Sequence, residues 1–354
     1  MDKQFLETLL KTPSPTGFET AGQACWMEHI KPYADSLEKD AYGSAWAIRK
    51  GTSDLTLLLE SHVDEIGYMI KYISDKGFIY IDIVGGSDVA TSRGKRLHFL
   101  GDKGTVLGVI GNTAIHLREN RANEKSPKVH EVWVDIGASS KEEVLATGLR
   151  VGHPAVYVEE PTWMGTGDNE GQLLVSRAID NRISGYILQQ VFKKLAENSV
   201  TPFYTLIALN AVQEEIGGYG AQMASYKLHP DVCLCLDVTH ATDTPGINQQ
   251  QHGEVILGKG PSLTHGTANH PAIVQQLISI AADASIEIQH ESSSRCSGTD
   301  TDSIYPNRGG IPSALVSIPL RNMHSTVETV NMKDVDATIE LLLAFIQGCN
   351  EPLV

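Results

Sequence analysis

Leu55-Thr56-Leu57-Leu58-Leu59-Glu60-Ser61-His62-Val63-Asp64-Glu65-Ile66-Gly67 is the stretch from which the rest of the chain can be read. Leu55 to Leu59 is almost wholly apolar and is bounded by the charges of Asp54 and Glu60. A short apolar run without alternation is the pattern of a strand covered on both faces, as in a parallel sheet between helices. Similar runs return at 204–212 and 232–236. Between them the apolar residues take helical spacing. Phe5, Leu6, Leu9 and Leu10 form one such set, and Cys25, Met27 and Ile30 another. Long amphipathic helices are predicted at about 180–197, 271–285 and 332–347, the first with Ile183, Ile187, Val191 and Leu195 on one stripe. Strands alternating with helices make an α/β chain.

The segment 67–160 breaks this rhythm. It holds short β patterns separated by glycines and polar turns, with one short helix expected in Ser139-Ser140-Lys141-Glu142-Glu143-Val144-Leu145-Ala146-Thr147. Closely spaced short strands suggest a small barrel or sandwich. Because α/β patterns flank it on both sides, it reads as a β-rich domain inserted into a catalytic domain spanning 1–66 and 161–354. The polar segment 116–130 has no periodicity and is expected to form a mobile loop. No internal repeat or heptad pattern is present.

Composition excludes several classes. The 354 residues carry a net charge of −15. Nucleic-acid and anionic-membrane partners both require a basic footprint, so neither is expected. At 41% hydrophobic residues the chain can bury a core, which rules out global disorder. No apolar run approaches the ~18–20 residues of a membrane span. The first residues lack the basic and apolar regions of a signal peptide. Five cysteines are a sparse, odd set, which suits a reducing cytoplasm. Cys233 and Cys235 are expected to face opposite sides of their strand as core residues, and Cys296 to be a structural thiol. His98, His116, His229 and His270 read as surface residues, whereas His240 is a candidate to approach the site.

Four stretches place histidine or carboxylate where a buried strand ends or a helix begins: His62-Val63-Asp64-Glu65, Asp180-Asn181-Arg182, Gln213-Glu214-Glu215 and Asp237. A fifth, Arg321-Asn322-Met323-His324-Ser325, precedes the last helix. Each has a plainer reading: a surface turn for His62, a helix cap for Asp180, a solvated loop for Glu214 and Glu215, a turn for Asp237. In a doubly wound sheet, however, strand carboxyl ends converge on one crevice. There the histidines and carboxylates would form the nitrogen and oxygen donor set of a pair of divalent ions such as zinc, cobalt or manganese. Such a pair can hydrolyse an amide.

These stretches, together with Ser14-Pro15-Thr16-Gly17-Phe18-Glu19 and Ser297-Gly298-Thr299-Asp300, resemble the motifs of the glutamyl, or deblocking, aminopeptidase family. Its members form tetrahedral assemblies, and some carry the label cellulase M or endoglucanase. The matches run in family order from residue 14 to 328. The resemblance implies a mixed-sheet α/β sandwich of the dinuclear zinc-peptidase type with an inserted β-barrel used for oligomerisation. It further implies that His62 and Asp237 hold one ion, that Glu215 and His324 hold the other, and that Asp180 bridges them. Glu214 is then the general base, Asp64 orients His62, and the Asp180–Asn181 peptide is cis. The implied cofactors are two divalent ions, zinc or cobalt, and the implied assembly is a dimer-based dodecamer acting on peptide substrates in the cytoplasm. Asp302 departs from the small residue common at its position. Three other readings stay open: a dinuclear amidohydrolase acting on N-acyl amino acids, a scaffold without catalysis, and a glycosidase. The last needs no histidines and usually a more aromatic cleft than 6% Phe, Trp and Tyr provides.

Overall fold

The computed structural model describes residues 2–118 and 125–354. Among these, eleven strands form one mixed sheet. Its main path runs Ser36–Lys39, Ala45–Arg49, Thr205–Ala211, Thr56–His62, Val232–His240, Ser313–Arg321, Glu328–Asn331, Leu173–Ser176, Thr162–Met164. Ser262–His265 and Gln289–Ser292 branch from Ser313–Arg321. The strands Thr205–Ala211, Thr56–His62, Val232–His240 and Ser313–Arg321 lie side by side and parallel. The first three are the apolar runs read from sequence, which do not alternate because each is covered on both faces; Ser313–Arg321 has no counterpart in that reading.

Helices Lys3–Lys11, Thr20–Ile30, Ile179–Glu197, Pro271–Asp283 and Met332–Gly348 cover one face, where Leu57 and Leu59 are buried. Tyr219–Leu228 and Thr301–Ile304 cover the other, where Leu58 is buried. Neighbours on a strand point to opposite faces, so one short run supplies both layers of an α/β sandwich. The first parallel strand is longer than its apolar run. It continues to His62, which places Glu60 inside the strand, 1% exposed, rather than at its border.

The expectation that Cys233 and Cys235 face opposite sides fails. Residues two apart on a strand share a face. Their sulfurs are 3.8 Å apart in the second core, and all five cysteines are free thiols. Exposed His116 and His229 match their reading, while His98 and His270 are half-buried.

Between Gly67 and Tyr157 six strands close into a barrel: Gly67–Ile73, Ile79–Val84, Arg96–Gly101, Gly104–Ile110, Trp133–Asp135 and Pro154–Tyr157. Its own core is built from Tyr68, Ile70, Ile79, Ile81, Leu97, Phe99 and Val134 among others. Arg96–Gly101 has no counterpart in the sequence reading. Its Leu97 and Phe99 turn inward while Arg96 and His98 turn outward, a period-2 pattern only a few residues long. The short helix is Lys141–Ala146. Of the expected loop at 116–130, residues 119–124 lie outside the described residues, and Val129–Glu131 forms a single helical turn. No helix among the described residues is long and apolar enough to cross a membrane.

Candidate active site

The four parallel strands deliver chemistry at their carboxyl ends. His62 closes Thr56–His62, and Asp237 lies within Val232–His240. Glu214 and Glu215 follow Thr205–Ala211, and His324 follows Ser313–Arg321. Asp180 comes from the first turn of Ile179–Glu197, and its peptide bond to Asn181 is cis. The backbone near these residues is strained. Gln213 (φ 60°), Asn322 (φ 58°), His324 (φ 60°) and Ala178 (φ 58°) all take the left-handed region. Each such L-residue costs on the order of 1–2 kcal/mol, and such outliers cluster at functional sites.

Two groups of donors result. His62, Asp180 and Asp237 offer ligand atoms all within 4.8 Å of one another, and so do Asp180, Glu215 and His324. Asp180 belongs to both. Its Oδ1 lies 3.3 Å from His62 Nε2, and its Oδ2 lies 3.2 Å from His324 Nε2. Asp237 Oδ1 is 3.8 Å from His62 Nε2, and Glu215 Oε2 is 3.4 Å from His324 Nε2. Glu214 approaches His62 Nε2 to 3.8 Å from the pocket side.

Further groups hold these in place. The Asp64 carboxylate accepts the backbone N–H groups of Glu214 (3.0 Å) and Glu215 (3.2 Å) and the Thr16 hydroxyl (2.8 Å). His62 Nδ1 is 3.2 Å from the Asp64 backbone carbonyl and 3.5 Å from its carboxylate. Asp64 therefore faces His62 chiefly through its carbonyl and spends its carboxylate on the Glu214–Glu215 turn. Glu328, 1% exposed, accepts the N–H of His324 at 2.9 Å and that of Asp180 at 3.1 Å. The sequence reading missed it; a glutamate four residues after His324 is the signal that was there. Gly86, from the chain leaving the barrel strand Ile79–Val84, presents its carbonyl to His324 Nδ1 at 3.2 Å. Deeper in, Glu60 and Asp300 form a buried carboxyl pair one pleat below His62.

Burial dominates the electrostatics. It pushes Glu214 up to about 9, with Asp237, Asp300 and Asp180 adding to the rise, and Asp300 up to about 7, against the lowering effect of Glu60 and His62. Glu215 and Asp237 are raised for the same reason. Burial would lower His62, but Glu214, Asp180, Asp237 and Asp64 together raise it; His324 is likewise raised, mainly by Asp180. Asp180 itself is held below the ordinary carboxylate range by His324 and His62, against its burial. A carboxyl or histidine raised by folding keeps a proton that the unfolded chain has lost, so its contribution to stability disappears as pH rises. In chelator-treated protein the melting temperature is therefore expected to fall between pH 5.5 and pH 8.5. Added divalent ions should raise it more at the alkaline end. Differential scanning fluorimetry across that range checks both, and a metal-induced gain independent of pH would contradict the assignment.

The cluster opens into a pocket of about 700 Å³ lined by His62, Asp180, Glu214, Glu215, Asp237 and His324, with His240, Asp302 and Met323 further out. Among the described residues, no lysine or arginine lines it. A mixed α/β sandwich joined to a closed six-stranded barrel is the fold of solved TET aminopeptidases, which makes the chain a peptide hydrolase by class. The chain belongs to the M42 glutamyl aminopeptidase family, whose model matches residues 43–341. It is 30% identical to a lysyl aminopeptidase of Pyrococcus furiosus over 352 residues, covering 98% of this chain and 97% of the relative. A solved TET aminopeptidase from the marine sediment archaeon Thaumarchaeota archaeon SCGC AB-539-E09 superposes with a TM-score of 0.92 at 30% identity, covering 99% of this chain and 97% of that one. The Pyrococcus horikoshii TET1 peptidase can assemble into a tetrahedron or a large octahedral shell. It superposes with a TM-score of 0.85 at 26% identity, covering 99% of this chain and 100% of that one.

Proposed function

We propose that this peptide hydrolase is a dinuclear metal-dependent aminopeptidase that removes N-terminal residues from peptides. The observation that carries the reading is Asp180, which offers one carboxylate oxygen toward each of two histidines. The residues fit a cation pair. Glu215 Oε1 is buried without a hydrogen-bond partner, and among the described residues the pocket walls supply no lysine or arginine to offset their carboxylates. Imidazole nitrogens with carboxylate oxygens suit zinc or cobalt. In this reading His62 and Asp237 hold one ion, Glu215 and His324 the other, and Asp180 both. When bound, such a pair polarises the scissile carbonyl and makes an adjacent water more acidic. Glu214 faces the pocket beside the cluster, where its carboxylate takes the water's proton and returns it to the leaving amine. Asp64 fixes the turn that aims Glu214, and the Gly86 carbonyl holds His324 Nδ1–H so that Nε2 points inward.

The Gly86 contact couples the barrel to the site. A Cβ at Gly86 would lie 2.4 Å from His324 Nδ1 and 2.7 Å from its Cε1. Gly86→Ala is expected to push the ring away and weaken one ion's binding by about 10–100-fold. Metal titration checks it; wild-type affinity in the variant would show that the barrel does not position His324.

We further propose that 67–160 serves as the oligomerisation domain and that copies join through it into a dimer-based dodecamer. Exposed Tyr72, Ile83, Leu107 and Val109 give that segment apolar surface. One experiment tests function and assembly together. Metal-stripped and reconstituted protein is assayed on aminoacyl p-nitroanilides and their N-acylated counterparts, and its size is measured by sedimentation. Expected are metal-restored cleavage of free-amine substrates and particles far larger than a monomer. Preference for acylated substrates would turn the reading to an amidohydrolase. A fully active monomer would remove the assembly and leave the chemistry.

A further inference from the structure

A second pocket of about 320 Å³ adjoins the first and shares Val238, Thr239, Ser297 and Thr299 with it. Its floor is strand framework: Thr239 from Val232–His240, Thr264 from Ser262–His265, Glu291 from Gln289–Ser292, and Ser317 from Ser313–Arg321. The loop 293–299 forms its outer wall. Most of its polar groups are hydroxyls, which can accept as well as donate.

Glu291 is the acid in this lining. Its Oε1 accepts the Thr239 hydroxyl at 2.6 Å, which fixes the carboxylate. Its Oε2 is shielded from solvent and has no hydrogen-bond partner. A carboxylate oxygen withdrawn from water and left unpaired is costly, and an incoming cationic donor relieves it. The place fits a substrate side chain. Thr239 lies two residues beyond Asp237 on the same strand, hence on the same face and about 7 Å further along. A peptide whose N-terminal residue reaches the Asp237 end of the cluster would direct that residue's side chain toward Glu291. Arg295 also lines this pocket but is exposed and makes no ion pair with Glu291.

We propose that this side pocket receives the side chain of the substrate's N-terminal residue, and that Glu291 selects a cationic one, lysine or arginine. The proposal rests on the aminopeptidase reading above. Glu291 Oε2 would accept from the ammonium or guanidinium, and hydroxyls of Thr264 and Ser317 would take remaining N–H groups. A glutamyl side chain would meet Glu291 as a like charge.

The test compares lysyl and norleucyl p-nitroanilides, which share stem length and differ in the terminal ammonium, with the glutamyl substrate as a third arm. Wild type reconstituted with divalent ions is expected to favour lysyl over norleucyl by at least about tenfold in kcat/KM. Glu291→Gln is expected to lower lysyl kcat/KM by about 10–100-fold, mainly through KM, and to leave norleucyl within about threefold. Retained norleucyl turnover and metal content show that the variant is folded. An unchanged lysyl to norleucyl ratio overturns the proposal. So does an equal loss on both, which would mean that Glu291 acts only by holding Thr239. A wild-type preference for the glutamyl substrate also overturns it and points to Arg295. Norleucyl cleavage without lysyl preference sinks this inference alone; absence of cleavage of any arm sinks the aminopeptidase reading with it.

Discussion

Glu214→Gln is expected to retain two ions per chain and to lose about 10²–10⁴-fold in kcat. Glutamine keeps the shape of the side chain and the backbone N–H that Asp64 accepts at 3.0 Å, so the turn should survive. What disappears is an oxygen able to take a proton. Glu214 is suited to that task because it is half-buried at the pocket beside the cluster yet belongs to neither donor group. Burial raises it to about 9 when no cation is near, which shows how strongly its charged form depends on positive charge in the site. Metal analysis of the purified variant beside steady-state kinetics makes the check. A variant that has lost an ion would make Glu214 a ligand, and the roles of Glu214 and Glu215 would then be exchanged.

The parallel core and the positions of the site residues were legible because each depends on a short local pattern. An apolar run such as Leu55 to Leu59 reports a strand covered on both faces, and the residues just past such runs must emerge at one end of a parallel sheet. His62, Glu214, Glu215 and Asp237 could therefore be placed without knowing the strand order, whereas His324 was placed only ahead of the last helix, because the strand Ser313–Arg321 before it went unread. Edge strands such as Ser36–Lys39 and Thr162–Met164 were not legible, since half-exposed residues carry little periodic signal over three or four positions. The partners that hold the site were also hidden. Glu328 meets Asp180 across 148 positions and Gly86 meets His324 across 238. A glycine's reason for being glycine appears only when the ring that fills its missing side chain is in view. Glu60 is a different case. Its charge inside LTLLLESH was visible, but charge usually ends a strand, so it was read as a border. Burial first, and the neighbouring Asp300 next, raise its carboxyl well above the ordinary range, which favours the neutral form there.

Asp180→Ala is expected to abolish binding of both ions at concentrations that saturate wild type, and to cost more than about 10³-fold in activity. His324→Ala should instead weaken mainly one ion. The difference follows from position. His324 faces Asp180 and Glu215, whereas Asp180 faces His62 through Oδ1 and His324 through Oδ2. Removing it leaves His62 and His324 without the carboxylate that stands between them, and no other described side chain belongs to both donor groups. Alanine keeps the backbone N–H that Glu328 accepts, so the comparison isolates the carboxylate from its support. Metal content per chain, measured after equilibration at matched free-metal concentration, distinguishes the two variants. If Asp180→Ala retained one tightly bound ion, Asp180 would be an ordinary ligand of a single cation. The two histidines would then serve separate sites rather than one shared centre.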